Sequence, residues 1–222
     1  MFHVKTSFLA LFIFSLLNGY SQGVLTLKDK PFEFKHSYDT ALLHKLESNS
    51  FYNGLSIKEK DLFYWTNYMR QNPQRFYETI VKEFLVQFPE AKSAYTRSLE
   101  ADIKKTPASL SLLMPDNGLL QTTRSHASDL IKRGAVISHT SSNGKTFAQR
   151  LQEAGKYSCG AENVYIGSFN ALESLITLLI DNGVPDKGHR MNLLDPKFGR
   201  MGISFQSVGT DKGLLVQDFA CP

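Results

Sequence analysis

Three features that define common classes of protein are missing from this sequence. No apolar run approaches the about 20 residues that a membrane-spanning helix needs: the run at residues 8–17 is short, and the run at 172–180 ends at Asp181. No basic run is interleaved with stacking aromatic residues, so we expect no nucleic-acid partner. No Gly-x-Ser-x-Gly motif holds an exposed nucleophile, which argues against a serine hydrolase.

The first residues are typical of an export signal. Lys5 precedes the apolar run at 8–17, and the small residues around Ser21 indicate cleavage before Gln22. Residues 22–222 would remain, enough for one compact domain to bury most of its apolar surface. We therefore expect residues 1–21 to be a signal peptide and the mature protein to be soluble and secreted or extracytoplasmic, with no transmembrane segment.

Cysteine is scarce, with only Cys159 and Cys221 in 222 residues. An exported chain meets an oxidising compartment in which paired thiols persist. A Cys159–Cys221 disulfide would close a long loop and anchor the segment that presents Glu162. The alternative is two unpaired, inert thiols.

Helical periodicity with capping residues dominates the chain, and strands are few. Capping boxes at Ser56 and Thr146 begin helices, and Pro73 ends the first of these and begins another. Strands are predicted at 163–166, 200–208 and 214–220. Because helices outnumber the strands and flank them, the pattern predicts an α+β fold with a small antiparallel sheet covered by helices.

The regions outside this pattern define the expected domain plan. Residues 22–55 show no sustained period and are predicted to form a loosely ordered N-terminal arm, with His36 and His44 facing solvent. The main domain is expected at 56–222, with additional helical structure at about 84–105. His126 lies beside an apolar helical stripe, which favours a half-buried structural histidine.

Three short motifs, centred on His139, Glu162 and His189, carry the chemistry. Together they supply two imidazoles and one carboxylate, which is a metal-ligand set if the fold brings them together. The alternative is that each is a hydrogen-bonded structural residue. Arg190 could bind an anionic ligand, but a brace for the turn at Asp195 is favoured.

The order of these motifs resembles that of the CAP superfamily, the cysteine-rich secretory, antigen 5 and pathogenesis-related proteins with an SCP domain, in its short bacterial secreted form. Each motif is weak alone, but all of them in register are specific, and they cover residues 56–219. The helical stretch at 84–105 is a departure from the family pattern. The matching motifs are Asn67-Tyr68-Met69-Arg70, His126-Ala127-Ser128-Asp129, Ser138-His139-Thr140, Glu162-Asn163, Gly188-His189-Arg190-Met191-Asn192-Leu193-Leu194 and Met201-Gly202-Ile203.

The resemblance implies a three-layer α-β-α sandwich with a cleft lined by two histidines and usually two acids. By motif, His139 and His189 correspond to the histidines and Glu162 to the first acid. Asp181 is the candidate for the second, although Asn182 or Asp186 could take that place and Asp181 could equally be a solvated residue at a helix end. The set suits zinc or another divalent cation.

Three functions follow as hypotheses. The first is a secreted, non-catalytic binding scaffold whose cleft holds a divalent metal or small ligand and whose partner is an unknown extracellular ligand, lipid or protein. The second is a zinc-dependent, peptidase-like hydrolase in which Glu162 is a ligand or general base. This hydrolase would need a second acid, and the sequence does not identify one with certainty. The third is a metal-free structural or interaction module.

Overall fold

The computed structural model describes residues 30–222, so the expected signal segment and its cleavage near Ser21 lie outside the described residues. The described chain has an α+β fold in which helices cover both faces of one four-stranded sheet. The predicted fold class is therefore confirmed. No helix within residues 30–222 is long and apolar enough to cross a membrane.

The helices begin where the sequence supplies capping residues. Ser56 and Thr146 each form the predicted reciprocal box with the residue three positions on. The helix that begins at Pro73 continues through a π-helical turn, Tyr77–Val81, and a 3₁₀ turn follows at Pro89–Ala91. The α-helices are α1 (Thr40–Glu47), α2 (Ser50–Asn53), α3 (Ile57–Gln71), α4 (Pro73–Phe76), α5 (Lys82–Gln87), α6 (Ala94–Lys105), α7 (Asn117–Lys132), α8 (Phe147–Ala154), α9 (Ala171–Ile180) and α10 (Gly188–Leu194).

The sheet has the order β1-β3-β4-β2. Its strands are β1 (Met114–Pro115), β2 (Gly160–Ser168), β3 (Arg200–Gly209) and β4 (Lys212–Ala220). β4 pairs antiparallel with β2 and with β3, whereas β1 runs parallel to β3. The prediction of a purely antiparallel sheet was therefore wrong at β1, which is only two residues long and carries no readable alternation.

The two faces of the sheet pack against different helices. On one face, Val164 of β2 and Val216 of β4 form a small cluster with Ala127 and Leu130 of α7. On the other face, alternate residues such as Phe219 join the larger core, which includes residues of α3 and α9. The sheet is thus the middle layer of an α-β-α sandwich. By the same alternation, Glu162 and its register partner Asp218 project toward α7.

A glycine sets the distance between α7 and the sheet. A Cβ atom at Gly202 of β3 would lie under 3.0 Å from backbone atoms of Leu119 and Leu120 in α7. Carbon atoms prefer separations of about 3.5–4.0 Å. The close approach of this helix to β3 therefore requires glycine.

Arg70 is fully buried and joins α3 to two loops. Because burial disfavours the charged form, the pKa of Arg70 is lowered to about 10. The loop carbonyls, which lack helix or sheet partners, are satisfied by this one side chain. The guanidinium donates to the backbone oxygens of Ser111 (2.8 Å), Leu193 (2.8 Å), Asp195 (3.1 Å) and Phe198 (3.1 Å).

Arg190 is the second fully buried guanidinium and ties α9 to α6. The predicted brace is right in kind but wrong in place, because Arg70, not Arg190, binds the Asp195 carbonyl. Full burial also excludes Arg190 from contact with an anion in solution. Its acceptors are the backbone oxygens of Leu179 (2.7 Å), Ile180 (2.7 Å) and Tyr95 (3.0 Å), Ser98 Oγ (2.9 Å) and Asp102 Oδ2 (2.8 Å).

The N-terminal arm is more ordered than predicted. It contains α1, which buries Leu42 and Leu46, and α2, which buries Tyr52. His44 is exposed as expected, but His36 is half-buried against Trp65. The expectation of a solvent-facing His36 was therefore wrong, because the extended segment before α1 lays its side chains on α3.

The predicted disulfide is present between Cys159 and Cys221, whose Cα atoms lie 5.4 Å apart. It joins the residue before β2 to the residue after β4, across a sequence separation of 62. The cross-link therefore fixes the end of β2 that carries Glu162.

Candidate functional site

The first part of the candidate site is a pair formed by His139 and Glu162. His139 lies in the connection between α7 and α8, and its side chain is 56% exposed, whereas that of Glu162 is 1% exposed. His139 Nδ1 lies 2.8 Å from Glu162 Oε1. The structure thus brings together two of the residues that the sequence singled out.

Arg150 of α8 holds this pair in place, and the sequence analysis missed it. Its Nη2 lies 2.5 Å from Glu162 Oε2. Its Nη1 donates to the backbone oxygens of His139 (3.2 Å) and Lys145 (3.1 Å) and to Ser141 Oγ (3.2 Å). One guanidinium therefore fixes the carboxylate and the loop that carries the imidazole.

The electrostatics favour an ionised Glu162. Burial alone would raise its pKa, but the His139 hydrogen bond and the nearby Arg150 charge outweigh burial, so the pKa of Glu162 is lowered. Both carboxylate oxygens are engaged, one by each neighbour. A low pKa and full engagement make Glu162 a weak base.

His126 lies next to the pair and has a structural role, as predicted, although it is fully rather than half buried. Its Nδ1 lies 3.0 Å from Ser141 Oγ and its Nε2 lies 2.8 Å from the backbone oxygen of Ser138. Burial lowers the pKa of His126, and the charge of Glu162, 3.9 Å away, opposes this only in part. The two ring nitrogens therefore hold the loop on both sides of His139.

Asp218 of β4 is a second acid beside Glu162 that the sequence analysis also missed. The two residues are register partners in the β2–β4 ladder, and Asp218 is completely buried. Within residues 30–222, neither of its carboxyl oxygens has a hydrogen-bond partner apart from the adjacent Glu162 carboxylate. Burial and the charge of Glu162 raise the pKa of Asp218 well above its ordinary value, which favours the protonated form.

The second part of the site is a pair formed by His189 and Asp181. His189 Nδ1 lies 2.7 Å from Asp181 Oδ1, and Asp181 Oδ2 accepts the backbone N–H of Arg190 at 3.1 Å. Asp181 is 3% exposed, so it is not the solvated helix-end residue that the sequence also allowed. Asp186, the other candidate acid, is exposed and accepts the N–H of Gly188.

Both pairs lie beside β2, an edge strand of the sheet. The side chain of Glu162 projects toward α7, whereas that of Asn163 projects to the opposite face, where its Nδ2 lies 3.5 Å from the backbone oxygen of His189. Asn192 of α10 donates to Asn163 Oδ1 at 2.8 Å and to the Glu162 carbonyl at 3.4 Å. The asparagines therefore dock the second pair beside the strand that carries the first.

These pairs determine what the imidazoles can do. An ionised carboxylate only accepts hydrogen bonds, so each ring carries its proton on Nδ1. Nε2 of the neutral ring then bears a lone pair and is the atom through which His139 and His189 can bind something else. Within the described residues, however, no group of three or more His, Cys, Asp or Glu side chains is placed to hold a metal ion.

A polar groove with a volume of about 330 Å³ lies beside the first pair, between α7 and α8, and Arg150 and Ser141 are part of its lining. Among its charged residues, Lys145 is already paired with Glu153 at 2.8 Å. The groove is large enough for a small ligand.

Comparison with known proteins places these residues in a family context. The profile of the CAP group, the cysteine-rich secretory protein family, matches residues 64–219. No curated protein matches the chain.

Several solved structures are similar at low identity. An extracellular protein with an SCP domain from Bacillus anthracis is 22% identical, with a TM-score of 0.43, over 57% of this chain and 40% of that chain. An outer surface protein from Borrelia burgdorferi is 20% identical, with a TM-score of 0.44, over 57% of this chain and 88% of that chain. NaASP2 with Zn²⁺ is 14% identical, with a TM-score of 0.41, over 75% of this chain and 81% of that chain. The chain thus spans less than half of the Bacillus protein.

Proposed function

Because the chain belongs to the cysteine-rich secretory protein (CAP) family, we propose that it is an exported, non-catalytic binding protein. Its binding site is the region around β2 where the two imidazole–carboxylate pairs lie. The observation that supports this proposal is the shared arrangement of the pairs: both carboxylates hold Nδ1, at 2.8 and 2.7 Å, and so orient Nε2. A partner outside the cell, whether lipid, protein or small ligand, would be recognised there or on the surrounding surface.

A divalent cation fits this site only in part. Imidazole nitrogens suit zinc, and a carboxylate behind each ring is the usual support for a ligating histidine. Glu162 and Asp181, however, are committed to the rings and to neighbouring groups, and no three-residue ligand group exists in residues 30–222. We therefore assign the ligand role to His139 and His189 and the supporting role to the two acids, and expect weak metal affinity.

Hydrolysis is less well supported. A general base must reach water and hold a proton near the working pH. The side chain of Glu162 is 1% exposed, and its pKa is lowered by the His139 hydrogen bond and the charge of Arg150 in spite of burial. These properties suit a carboxylate that orients an imidazole.

Zinc titration of the purified protein by calorimetry tests the metal part of the proposal. We expect one ion per chain, loss of binding in both His139→Ala and His189→Ala, and weaker binding at acid pH because protons compete for imidazole nitrogens. His44→Ala is the matched control, since this histidine is exposed on α1.

The outcomes separate the three hypotheses. No uptake of zinc leaves a metal-free binding or structural module, and loss of binding in the His44 variant would indicate non-specific capture. A panel of peptides and esters, with and without chelator, tests catalysis. Turnover that disappears in both site variants would overturn the non-catalytic assignment.

A further inference from the structure

His36 is enclosed by aromatic rings, although it belongs to the extended segment that precedes α1. Trp65 is a neighbour on α3 and is the only tryptophan of the chain. An imidazole in such surroundings is shielded from water on several sides. The ring centroids around it lie at 4.8 Å (Trp65), 4.8 Å (Tyr68), 6.0 Å (Tyr64), 6.0 Å (Tyr38) and 6.1 Å (Phe34).

The rest of the segment is attached at its beginning. The backbone N–H of Phe32 donates to Glu173 Oε1 at 2.8 Å, and the ring of Phe32 packs against that of Phe84 at 5.3 Å. Glu33 and Gln87 exchange two hydrogen bonds at 3.1 and 2.9 Å. Between this anchor and α1, three polar contacts attach the chain to α3: His36 and the backbone N–H of Asp39 both reach the Tyr64 hydroxyl, and the Tyr38 hydroxyl donates to Asp61 at 3.4 Å.

The hydroxyl of Tyr64 connects His36 to the backbone of the same segment. It lies 2.8 Å from His36 Nε2 and accepts the backbone N–H of Asp39 at 2.8 Å. With its oxygen accepting from Asp39, the hydroxyl can donate its own proton to the lone pair of a neutral imidazole. In the neutral tautomer that carries its proton on Nδ1, the hydrogen bonds therefore run from Asp39 through Tyr64 to His36.

Protonation of His36 removes the acceptor at the end of this series of hydrogen bonds. A protonated Nε2 is a donor and offers no lone pair, so the O–H of Tyr64 loses its acceptor. Tyr64 is fully buried, and water cannot replace that acceptor. A buried donor without a partner costs about 1–3 kcal/mol.

We propose that His36 is a proton-operated latch: when its ring is protonated, the segment at residues 33–38 loosens from α3 and uncovers the aromatic surface of Trp65 and Tyr68. The device would act when the exported protein enters an acidic environment. It uses residues outside both imidazole–carboxylate pairs, and so it does not depend on the proposed binding site.

The charges around the ring agree with this direction. Burial lowers the pKa of His36, Asp39 of the same segment opposes the change, and Arg75 of α4 adds to it. Three tyrosines also face the ring: Tyr68 on α3, and Tyr38 and Tyr64, whose pKa values are raised by burial so that they stay neutral. Because the attached state favours the neutral ring, attachment is complete above the free histidine pKa of about 6.5 and weakens as pH falls below it.

Two measurements on the purified protein test the latch. Trp65 emission should fall on acidification with a midpoint below about pH 6.5, because an imidazolium quenches an adjacent indole. Hydrogen exchange of the amides at 34–39, which include the Asp39 N–H bound to Tyr64, should accelerate over the same range after correction for the intrinsic pH effect. The acceleration should be at most about tenfold per pH unit, the limit for one proton.

Matched variants assign the effect. His44→Gln, on the same arm, should leave both titrations unchanged, whereas His36→Gln, which keeps an acceptor but cannot be protonated, should abolish both. Tyr64→Phe keeps the ring contacts and should reduce the pH dependence of exchange while Trp65 still titrates. If emission titrates but exchange at 34–39 stays constant, or if His36→Gln behaves as the wild type, the latch is refuted.

Discussion

Replacement of Gly202 by alanine should destabilise the protein strongly, because of the close crossing of α7 over β3. The added Cβ would lie under 3.0 Å from three backbone atoms of Leu119 and Leu120. Relief requires the helix to move by about 1 Å toward ordinary carbon contact distance. That movement would separate Ala127 and Leu130 from the sheet.

The size of this destabilisation depends on whether the added Cβ contacts side-chain or backbone atoms. Overpacking costs about 1–3 kcal/mol when side chains can adjust, and backbone atoms of a helix adjust less easily. Alanine regains about 0.5–1 kcal/mol over glycine in a strand interior. We therefore expect a net loss of about 2 kcal/mol or more for Gly202→Ala in urea-induced unfolding.

Gly54→Ala is the matched control for this substitution. At Gly54 the nearest heavy atom to an added Cβ is 3.8 Å away, which is ordinary contact, and φ is −82°. We expect this variant to lie within about 0.5 kcal/mol of the wild type or slightly above it. Equal unfolding free energies for the two variants would refute the argument that the crossing requires glycine.

Three further predictions concern stability. Replacing Cys159 and Cys221 by serine should lower the free energy of unfolding by about 4 kcal/mol, because the disulfide closes a loop of 62 residues. Reductant should lower the denaturant midpoint of the wild-type protein to the same extent, and an unchanged midpoint would contradict this. Arg70→Met removes the donor from four carbonyls, of which those of Leu193 and Phe198 are in buried hydrogen bonds and cost about 1–3 kcal/mol each before relaxation. Thermal unfolding should therefore show a much larger loss than for Arg70→Lys, and similar losses would count against the brace. Asp218→Asn should stabilise the protein at pH 7 by about 1–3 kcal/mol, because the wild-type carboxyl must hold a proton when folded that it releases on unfolding. That gain should vanish as pH falls below 3.8, the ordinary aspartate pKa, and a gain independent of pH would contradict the assignment.

The predictable part of the fold was the part with long periodic segments and caps. The boxes at Ser56 and Thr146 and the antiparallel pair β3–β4 were readable because each rule acts within a few residues. β1 could not be predicted from the sequence, because it is a two-residue strand that is defined only by its parallel pairing with the distant strand β3. The helices of the arm were missed because α1 buries only two side chains and α2 is four residues long.

The site divides in the same way. His139, Glu162 and His189 stand in recognisable motifs, but the position of Asp181 depends on a backbone change that a helical wheel does not contain. Asp181 has φ 55° at the end of α9, in the left-handed region, so its side chain leaves the helical period and reaches His189. Extrapolating the helical period past Ile180 therefore left a solvated position for Asp181 as an equal alternative to the acid site.

Arg150 and Asp218 had a signal that could have been used. Arg150 falls at the second position of an i, i+3, i+4, i+7 stripe that otherwise holds Phe147, Leu151 and Ala154, and Asp218 interrupts an apolar strand. A charged residue on a buried stripe needs a buried partner. Such positions are therefore candidates for a polar network at the centre of a site.

The two buried arginines have a consequence for how this chain can change through evolution. Seven of the nine acceptors of Arg70 and Arg190 named above are backbone oxygens, such as those of Ser111 and Ile180. A main-chain oxygen is present whatever side chain its residue carries. The path of these segments therefore depends less on their own side chains, so selection on that path should be concentrated at the codons of Arg70 and Arg190.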